Sequence, residues 1–301
     1  MTDHLHIVLC GDRHWRIQNM VVMESLMRYT SKPLHIHEIV DWDTEGFNIS
    51  VQVRRKGVTH LRSTHWMRKR QLDLLWGNQP LRGSKATYYR LFIPEMMRQR
   101  YPEVKHALYL DGDIAIRQDV ALLFRPEYLP TKRPLAVVYT GSVKTSLDRD
   151  YMIDRGWQPN TSMFNAGVMM FNLAGWKDFE VAPFLRKYTN SLMKSHDQSM
   201  LNAHFGPTLE DLPEWANRRV VYPDDKAEGP GFYHFCGGLK PWQIGGFLLP
   251  QARLWHEERV KADLNRPPLS WGRLSAYKVV LKKRLKMALE NEIRREAWER
   301  K

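Results

Sequence analysis

The sequence predicts an open α/β sheet, on the evidence of two patterns in its first hundred residues and one in its composition. Short apolar runs that stop at turn-forming residues alternate with longer segments that carry apolar residues at helical spacing. Strands that alternate with helices favour a sheet with helices packed on its faces. Of the 301 residues, 43% are hydrophobic and 11% aromatic, which is enough to build a large core and excludes general disorder.

The elements of the first part follow from these patterns in chain order. Each apolar run is a predicted strand, and each segment at helical spacing is a predicted helix. They are a strand over 5–10, a helix over 17–29, a strand over 34–40, a helix over 84–100 and a strand over 107–110. Ser84 is the expected N-cap of the second helix, because its hydroxyl can accept a hydrogen bond from the first turn.

The pattern is looser from residue 135 onward. We expect strands over 135–139 and 164–172 and a helix over 183–194. Residues 205–250 are rich in Gly, Pro and Trp, which predicts loops with short strands.

Charge and cysteine content limit the functional classes. Lys and Arg number 46 against 33 Asp and Glu, a net charge of +13 that favours an anionic partner. Cys10 and Cys236 are the only cysteines, which excludes a disulfide-stapled secreted scaffold and indicates a reducing compartment. No signal-peptide pattern is present, and no apolar stretch approaches the roughly 18 residues that span a bilayer, so we expect a cytoplasmic protein.

The C-terminal residues 272–301 form a basic, helix-forming run that follows a break at Pro267. The run holds ten Lys and Arg against four Asp and Glu, a net charge of +6. Apolar residues share one face of its first half, at Leu274, Tyr277, Leu281, Leu285 and Ala288. A basic amphipathic helix of this kind is typical of an anionic membrane surface. The alternative is an ordinary amphipathic helix packed on the body of the protein.

The strongest local signal for chemistry is Asp111-Gly112-Asp113 at the end of a predicted strand. Ligands bind at strand ends in open α/β sheets. A turn with Gly in its centre can bring both carboxylates to one cation and let a bulky anion approach the backbone. Two close carboxylates favour a divalent metal such as Mg²⁺, Mn²⁺ or Ca²⁺. An ordinary turn is the alternative.

Further polar groups stand at the ends of other predicted elements. His234 is a candidate third metal ligand, Gly237 and Gly238 allow phosphate to approach the backbone, and Lys240 supplies a cation. Asn165 opens a strand, and Asp197 and Gln198 open a helix, where they could hold sugar hydroxyls. Each of these residues has a structural alternative: His234 as a buried histidine with an ordinary hydrogen bond, and Asp197 as a helix N-cap.

Taken together and in this order, these motifs resemble those of the retaining family 8 glycosyltransferases, in particular the bacterial lipopolysaccharide and lipooligosaccharide galactosyl- and glucosyltransferases. The resemblance spans about residues 5–245. It rests on Asp111-Gly112-Asp113 after HALYL, Phe164-Asn165-Ala166-Gly167, His196-Asp197-Gln198 and the segment HFCGGLKPW over residues 234–242. It implies a GT-A-type, Rossmann-like nucleotide-sugar-binding fold, with a catalytic domain over 1–253 and a helical C-terminal segment over 254–301.

The resemblance also implies the ligands and the residues that hold them. The donor would be UDP-galactose or UDP-glucose, bound with Mn²⁺ or, as the alternative, Mg²⁺, and Asp111, Asp113 and His234 would hold the metal. Gln198 would lie nearest the anomeric carbon, with Asp197 beside it, as the catalytic pair. The other donor-binding residues would be Cys10, Gly11, Asp12 and Trp15 at the uridine, Gly112, Arg90, Gly237 and Lys240 near the diphosphate, and Asn165, Ala166 and Gly167 at the sugar.

The implied reaction is transfer of a hexose, with retention, to a saccharide or glycolipid acceptor of a cell-surface glycan. The C-terminal helix resembles the membrane-attaching tail of such enzymes, so we expect a peripheral protein at the inner face of the membrane. A haloacid-dehalogenase-like phosphatase also places Asp-x-Asp at a strand end, but its motif usually lies near the N-terminus. A basic nucleic-acid-binding protein would explain the charge and leave the metal-type motif unexplained, so nucleic acid is not an expected partner.

Overall fold

The computed structural model describes residues 4–41, 49–78, 80–81, 84–188, 193–194, 196–267 and 270–299, with the backbone alone at residue 49 and from residue 291 onward. The strands are β1 (Leu5–Gly11), β2 (Leu34–Val40), β3 (Ile49–Arg55), β4 (Val58–Trp66), β5 (His106–Leu110), β6 (Ile114–Ile116), β7 (Leu135–Ser142), β8 (Ser162–Asn172), β9 (Glu210–Asp211), β10 (Arg218–Arg219) and β11 (Phe232–His234). The α-helices are α1 (Arg16–Tyr29), α2 (Lys69–Leu74), α3 (Ile93–Arg100), α4 (Arg149–Ile153), α5 (Val181–Tyr188), α6 (His196–Phe205), α7 (Ala252–Lys261) and α8 (Leu274–Glu299).

A large sheet organises these elements, in the strand order β3-β4-β2-β1-β5-β8-β7-β9. β1 lies in its centre and pairs in parallel with β2 and β5, whereas β8 runs antiparallel to both β5 and β7. A smaller sheet has the order β10-β11-β6. Because β1 and β5 are adjacent and parallel, the residues that follow them meet at one edge of the large sheet. The predicted α/β fold is confirmed.

Both faces of the central strands are buried, which is why their sequences are continuously apolar. Val8 and Tyr109 lie in a core cluster with the residues of α3 on one face. Ile7 and Leu108 lie in a second cluster with the residues of α1 on the other. The period of two along each strand therefore places successive residues in different cores.

Two predicted helices differ from the observed elements. The expected helix over 84–100 is a 3₁₀ helix over Ala86–Phe92 followed by α3, because Pro94 lacks a backbone N–H and suits only the first turn of a new helix. The predicted N-cap at Ser84 is wrong, because Lys85 precedes the 3₁₀ helix and caps it without a side-chain hydrogen bond; the Ser84 hydroxyl still accepts a hydrogen bond from the N–H of Ala86 at 3.0 Å. The helix expected over 183–194 begins at Val181 and ends at Tyr188, and residues 189–192 lie outside the described residues.

The two last helices relate differently to the body of the protein. The predicted domain end at residue 253 falls inside α7, where Leu254 and Trp255 are buried in a core cluster. Glu258 of α7 is fully buried and receives a hydrogen bond from Arg28 of α1 at 2.5 Å. α8 confirms the predicted C-terminal helix as far as Glu299, while residues 300 and 301 lie outside the described residues.

α8 packs on the body through its first turns. Ala276 lies against Gly238, Tyr277 packs beside it and Val280 is buried, whereas Leu281 and Leu285 are 44% and 66% exposed. The alternative of a helix packed on the body therefore holds for Tyr277 of the predicted apolar face but not for Leu281 and Leu285. Nowhere in the described ranges is a helix both long and apolar enough to cross a membrane.

Candidate active site

A cleft of about 640 Å³ opens at the edge where β1 and β5 end. This is a usual size for a small-molecule site, and it lies where open α/β sheets bind ligands. The structure brings most of the predicted site residues to its wall. They are Cys10, Asp12, Trp15, Arg90, Asp111, Gly112, Asp113, Asn165, Gly167, Asp197, Gln198, His234 and Lys240. Gly11, Ala166 and Gly237 are not part of the wall and lie next in sequence to residues that are.

Asp111, Asp113 and His234 form a compact donor group inside the cleft. Each offers one ligand atom, and these three atoms lie within 4.8 Å of one another. Nε2 of His234 is 3.0 Å from Oδ1 of Asp113 and 3.5 Å from Oδ2 of Asp111. The antiparallel pairing of β6 with β11, which sets His234 opposite Ile114, holds the imidazole beside the two carboxylates.

The other ring nitrogen of His234 determines how the imidazole faces the carboxylates. Nδ1 lies 2.9 Å from Oδ1 of Asn217, whose amide nitrogen donates to Oδ1 of Asn165 at 3.0 Å. Since a carboxamide oxygen can only accept, Nδ1 carries the proton and Nε2 presents a lone pair to Asp111 and Asp113. Asn217 was not predicted, because nothing in the sequence around it signals a contact with His234.

These donors fit a divalent cation that binds oxygen and imidazole. Oδ1 of Asp113 is buried and accepts no hydrogen bond, although it lies close to Nε2 of His234. A lone pair that faces two carboxylates is unfavourable until a cation lies between them. Two carboxylates and one imidazole suit Mn²⁺ or Mg²⁺ among the common ions. The three donors therefore fit a divalent metal ion.

Lys240 binds the other carboxylate oxygen of Asp113. Its Nζ donates to Oδ2 of Asp113 at 2.6 Å and to the carbonyl of Phe235. Burial by itself would raise the pKa of Asp113, but the Lys240 ammonium outweighs burial and holds that pKa well below its usual range. Asp113 therefore remains a carboxylate, with Oδ2 bound to Lys240 and Oδ1 left beside His234.

Arg90 links Asp111 to Asp197 beneath the cleft. Its guanidinium lies 2.9 Å from Oδ1 of Asp111 and 3.0 Å from Oδ2 of Asp197, and it donates to the carbonyl of Ala166 at 2.6 Å. Burial raises the pKa of Asp197, which the nearby guanidinium and the Thr87 hydroxyl partly offset. Arg90 is thus committed to two carboxylates, and its role in the structure is to hold them in place.

Gln198 is fixed by the start of β8. Its Oε1 accepts hydrogen bonds from the amide of Asn165 at 2.9 Å and from the N–H of Ala166 at 3.1 Å. Oδ1 of Asn165 in turn accepts from the N–H of Gly167 at 3.0 Å. The predicted carboxamides therefore form one network with Asn217, which orients the side chain of Gln198 at the cleft wall.

Two glycines are required by close approach. A Cβ on Gly167 would lie 2.1 Å from Cε1 of His234 and 2.7 Å from Oδ2 of Asp111. A Cβ on Gly112 would lie 2.4 Å from Oδ1 of Asn19. Any side chain at these positions would displace the donor group or the strand end that carries it.

Three cations in the cleft wall were not predicted. Lys194, Arg219 and Arg273 line it from three different parts of the chain. Arg219 donates to the carbonyl of Thr140 at 3.1 Å, and Arg273 immediately precedes α8. No local motif marks them, because each reaches the cleft only through the tertiary fold.

Comparison with known proteins places this geometry in a family. The model of glycosyl transferase family 8 matches residues 6–244. General stress protein A of Bacillus subtilis is 25% identical over 179 residues, which cover 53% of this chain and 59% of that protein. Glycosyltransferase GlyB of Streptococcus pneumoniae is 26% identical over 184 residues, or 55% of this chain and 40% of that protein. The chain thus spans about half the length of these curated relatives.

Solved structures share the fold. The galactosyltransferase LgtC, crystallised in complex with donor and acceptor sugar analogues, superposes with a TM-score of 0.66 at 19% identity, over 85% of this chain and 96% of that one. The apo form of the glycosyltransferase GlyE of Streptococcus pneumoniae gives a TM-score of 0.56 at 18% identity, over 85% of this chain and 60% of that one. The large sheet and the cleft at its edge therefore belong to a glycosyltransferase fold of the GT-A type.

Proposed function

Because the chain belongs to glycosyl transferase family 8, we propose that it transfers galactose or glucose from a UDP-sugar to a saccharide or glycolipid acceptor of a cell-surface glycan. The reaction retains the configuration of the anomeric carbon and depends on Mn²⁺. The observation that carries the proposal is the Asp111, Asp113 and His234 group in the wall of the cleft. The family assignment favours this function over the phosphatase and nucleic-acid-binding alternatives.

In this proposal the nucleotide half of the donor lies against the end of β1. Cys10, Asp12 and Trp15 line that part of the cleft, and the edge of Trp15 is braced by Trp242 at 5.8 Å between ring centroids. A braced indole offers a flat apolar surface to a base. Burial raises the pKa of the Cys10 thiol, so Cys10 serves as packing and takes no part in nucleophilic chemistry.

The diphosphate lies beside the donor group and Lys240. Asp111, Asp113 and His234 hold the metal, which when bound neutralises the charge that develops on the departing UDP. The Lys240 ammonium adds a second positive charge on the same side. Gly237 lets its segment pass close to Val221, since a Cβ at position 237 would lie 3.1 Å from Cα of Val221. Charge stabilisation of the leaving group is therefore preorganised.

The sugar lies against Gln198 and Asn165. Their carboxamides are held by β8, so they position the hexose without rotating freely. Asp197 is buried and bound to Arg90 and Thr87, which suits a carboxylate that orients Arg90 better than one that attacks carbon. We therefore favour front-side attack, in which the leaving phosphate oxygen takes the acceptor proton, over double displacement.

The acceptor is brought from an anionic membrane surface in this proposal. α8 presents Leu274, Leu281, Leu285 and Leu289 to solvent, all between 44% and 70% exposed. Lysines and arginines flank this stripe, and Ala276, Tyr277 and Val280 pack on the body. Exposed leucines beside cations favour an interfacial position at the inner face of the membrane.

UDP release tests the donor chemistry. We expect turnover of UDP-galactose or UDP-glucose, but not UDP-N-acetylglucosamine, in Mn²⁺ and none in EDTA. Asp113→Asn should abolish it, while Asp211→Asn, an exposed carboxylate of β9, is the matched control. Full turnover in EDTA, or a fully active and folded Asp113→Asn variant, would contradict the metal assignment.

Vesicle sedimentation tests the membrane surface. Leu281→Ser with Leu285→Ser should reduce binding to vesicles that contain phosphatidylglycerol and leave UDP release unchanged. Val260→Ser is the control, because Val260 is 63% exposed on α7 and lies outside the stripe. Equal vesicle binding by the double variant and the wild type would contradict the membrane proposal.

A further inference from the structure

A cluster of histidines lies within the large sheet, away from the cleft. His6 of β1, His35 and His37 of β2 and His65 of β4 share one face, and Tyr101 covers them. His6 is paired in register with His35. His6 lies four residues before Cys10 in the same strand, so the cluster is about 13 Å from the cleft end of β1. The candidate active site makes no use of it.

Three of these imidazoles form a compact donor group. His6, His35 and His37 each offer a ring nitrogen, and the three nitrogens lie within 4.8 Å of one another. Nδ1 of His6 and Nε2 of His37 are 2.9 Å apart, and the rings of His35 and His37 have centroids 4.0 Å apart. Imidazoles bring nitrogens this close when they share a proton or when they bind one ion.

The remaining nitrogens of His35 and His37 have partners of their own. Nε2 of His35 lies 2.8 Å from Oγ of Ser63, and Nδ1 of His37 lies 3.1 Å from Nε2 of His65. A metal-binding histidine characteristically donates its second N–H to such a partner, which fixes the ring and the tautomer. The outer contacts of a metal site are therefore already formed.

The surroundings keep the imidazoles neutral, as ligation requires. Burial lowers the pKa of His35 to about 4 and that of His65 to about 3, and the neighbouring histidines add to the shift for His35. Burial lowers the pKa of His37 well below its usual range. Neutral nitrogens without a thiolate or carboxylate in the group suit Zn²⁺, Co²⁺, Ni²⁺ or Cu²⁺ and disfavour Mg²⁺ and Mn²⁺.

We propose that His6, His35 and His37 bind a divalent transition-metal ion of the Zn²⁺ class, which ties β1 to β2. The ligands come from two adjacent parallel strands, so the ion joins the strand that ends at the cleft to its neighbour. His6 is only partly buried, which gives water a route to the fourth coordination position. The site is separate from the Asp111, Asp113 and His234 group. The three histidines favour Zn²⁺ over Mn²⁺, whereas the group with two carboxylates favours Mn²⁺.

Co²⁺ titration of the full chain, purified in chelator, tests the site. The titration is made in the Asp113→Asn background, so that the ion does not bind at the cleft. We expect one Co²⁺ per chain, with the strong visible absorption of a four-coordinate site, and its displacement by Zn²⁺. His6→Gln should abolish the absorption. Ser63→Ala should weaken Co²⁺ binding by about tenfold or more, because it removes the partner of His35.

His106→Gln is the matched control, since His106 lies on β5 outside the cluster and its Nε2 contacts the carbonyl of Pro130. It should leave the Co²⁺ titration unchanged, and circular dichroism shows whether each variant is folded. The absence of Co²⁺ binding in Asp113→Asn would overturn the proposal and leave a hydrogen-bonded chain of neutral imidazoles in its place. Unchanged binding in folded His6→Gln and Ser63→Ala, or an equal loss in His106→Gln, would also overturn it.

Discussion

Replacement of Gly167 by Ala tests whether the donor group controls turnover. Gly167 lies on β8, where its carbonyl accepts a hydrogen bond from the N–H of Asp111 at 2.8 Å. Its missing side chain leaves the space that the imidazole of His234 occupies, because a Cβ would lie 2.1 Å from Cε1 of that ring. The substitution therefore adds one methyl group beside the donor group and removes no polar atom.

The size of the effect follows from this distance. Carbon atoms in contact lie at least about 3.5 Å apart, so the imidazole of His234 must retreat by roughly 1.4 Å or β8 must shift. A misplacement of about 1 Å in an active site can cost about 100-fold in rate, or about 2.7 kcal/mol. Overpacking should destabilise the fold by about 1–3 kcal/mol. We expect kcat/KM to fall by about 100-fold or more, with a folded protein and weaker Mn²⁺ binding.

UDP release gives kcat/KM, and electron paramagnetic resonance of free Mn²⁺ gives the metal affinity. Gly141→Ala is the control for metal affinity, since it is also a strand glycine beside the cleft and its Cβ would meet only Oγ1 of Thr145, at 3.2 Å. Its Mn²⁺ affinity should equal that of the wild type. If folded Gly167→Ala keeps both the wild-type Mn²⁺ affinity and the wild-type kcat/KM, His234 does not hold the metal.

Three further substitutions test the contacts around the site and the body. Asn217→Ala should weaken Mn²⁺ binding by about 10–100-fold, measured by the same resonance titration, because His234 loses the acceptor that fixes its tautomer. Glu258→Ala should lower the free energy of unfolding in urea by about 2 kcal/mol, because it removes the buried carboxylate that Arg28 of α1 and Lys261 of α7 contact; a change near zero would contradict the docking of α7. Burial tends to raise the pKa of Glu210, but three backbone N–H groups at residues 131–133 outweigh it and lower that pKa. Glu210→Gln should therefore lower the free energy of unfolding most above the unfolded-state pKa of about 4.3. The difference in unfolding free energy between the variant and the wild type should shrink as the pH falls through the lowered pKa of the folded state. A difference that is independent of pH between 3 and 7 would refute this.

The sequence was sufficient for features that one segment determines by itself. β2 was predicted to the residue, because the segment from Leu34 to Val40 is bounded by Pro33 and Asp41. Asp111 and Asp113 were placed at a strand end for the same reason. The order of the motifs then led to the family, and the cleft contains thirteen of the predicted residues together.

Features that depend on distant segments were missed. Asn217 contacts His234 across 17 residues, and Arg273 reaches the cleft from the segment before α8. The ion pairs that Arg90 makes with Asp111 and Asp197 also join distant segments. Pro94 carried a local signal that was overlooked, because a proline inside a predicted helix indicates a helix boundary.

The C-terminal tail shows most clearly why composition alone is insufficient. Its net charge of +6 indicates a single basic helix that faces one anionic partner. In the structure, however, some residues of the tail lie against the body and the cleft, and others face solvent. Arg273 lines the cleft, and Ala276 packs against Gly238, two residues from Lys240. Leu274 and the apolar stripe from Leu281 onward face solvent, while Tyr277 between them packs on the body. The residue that precedes α8 is part of the cleft wall, so a membrane that holds the later turns would also fix the position of the cleft relative to its acceptor.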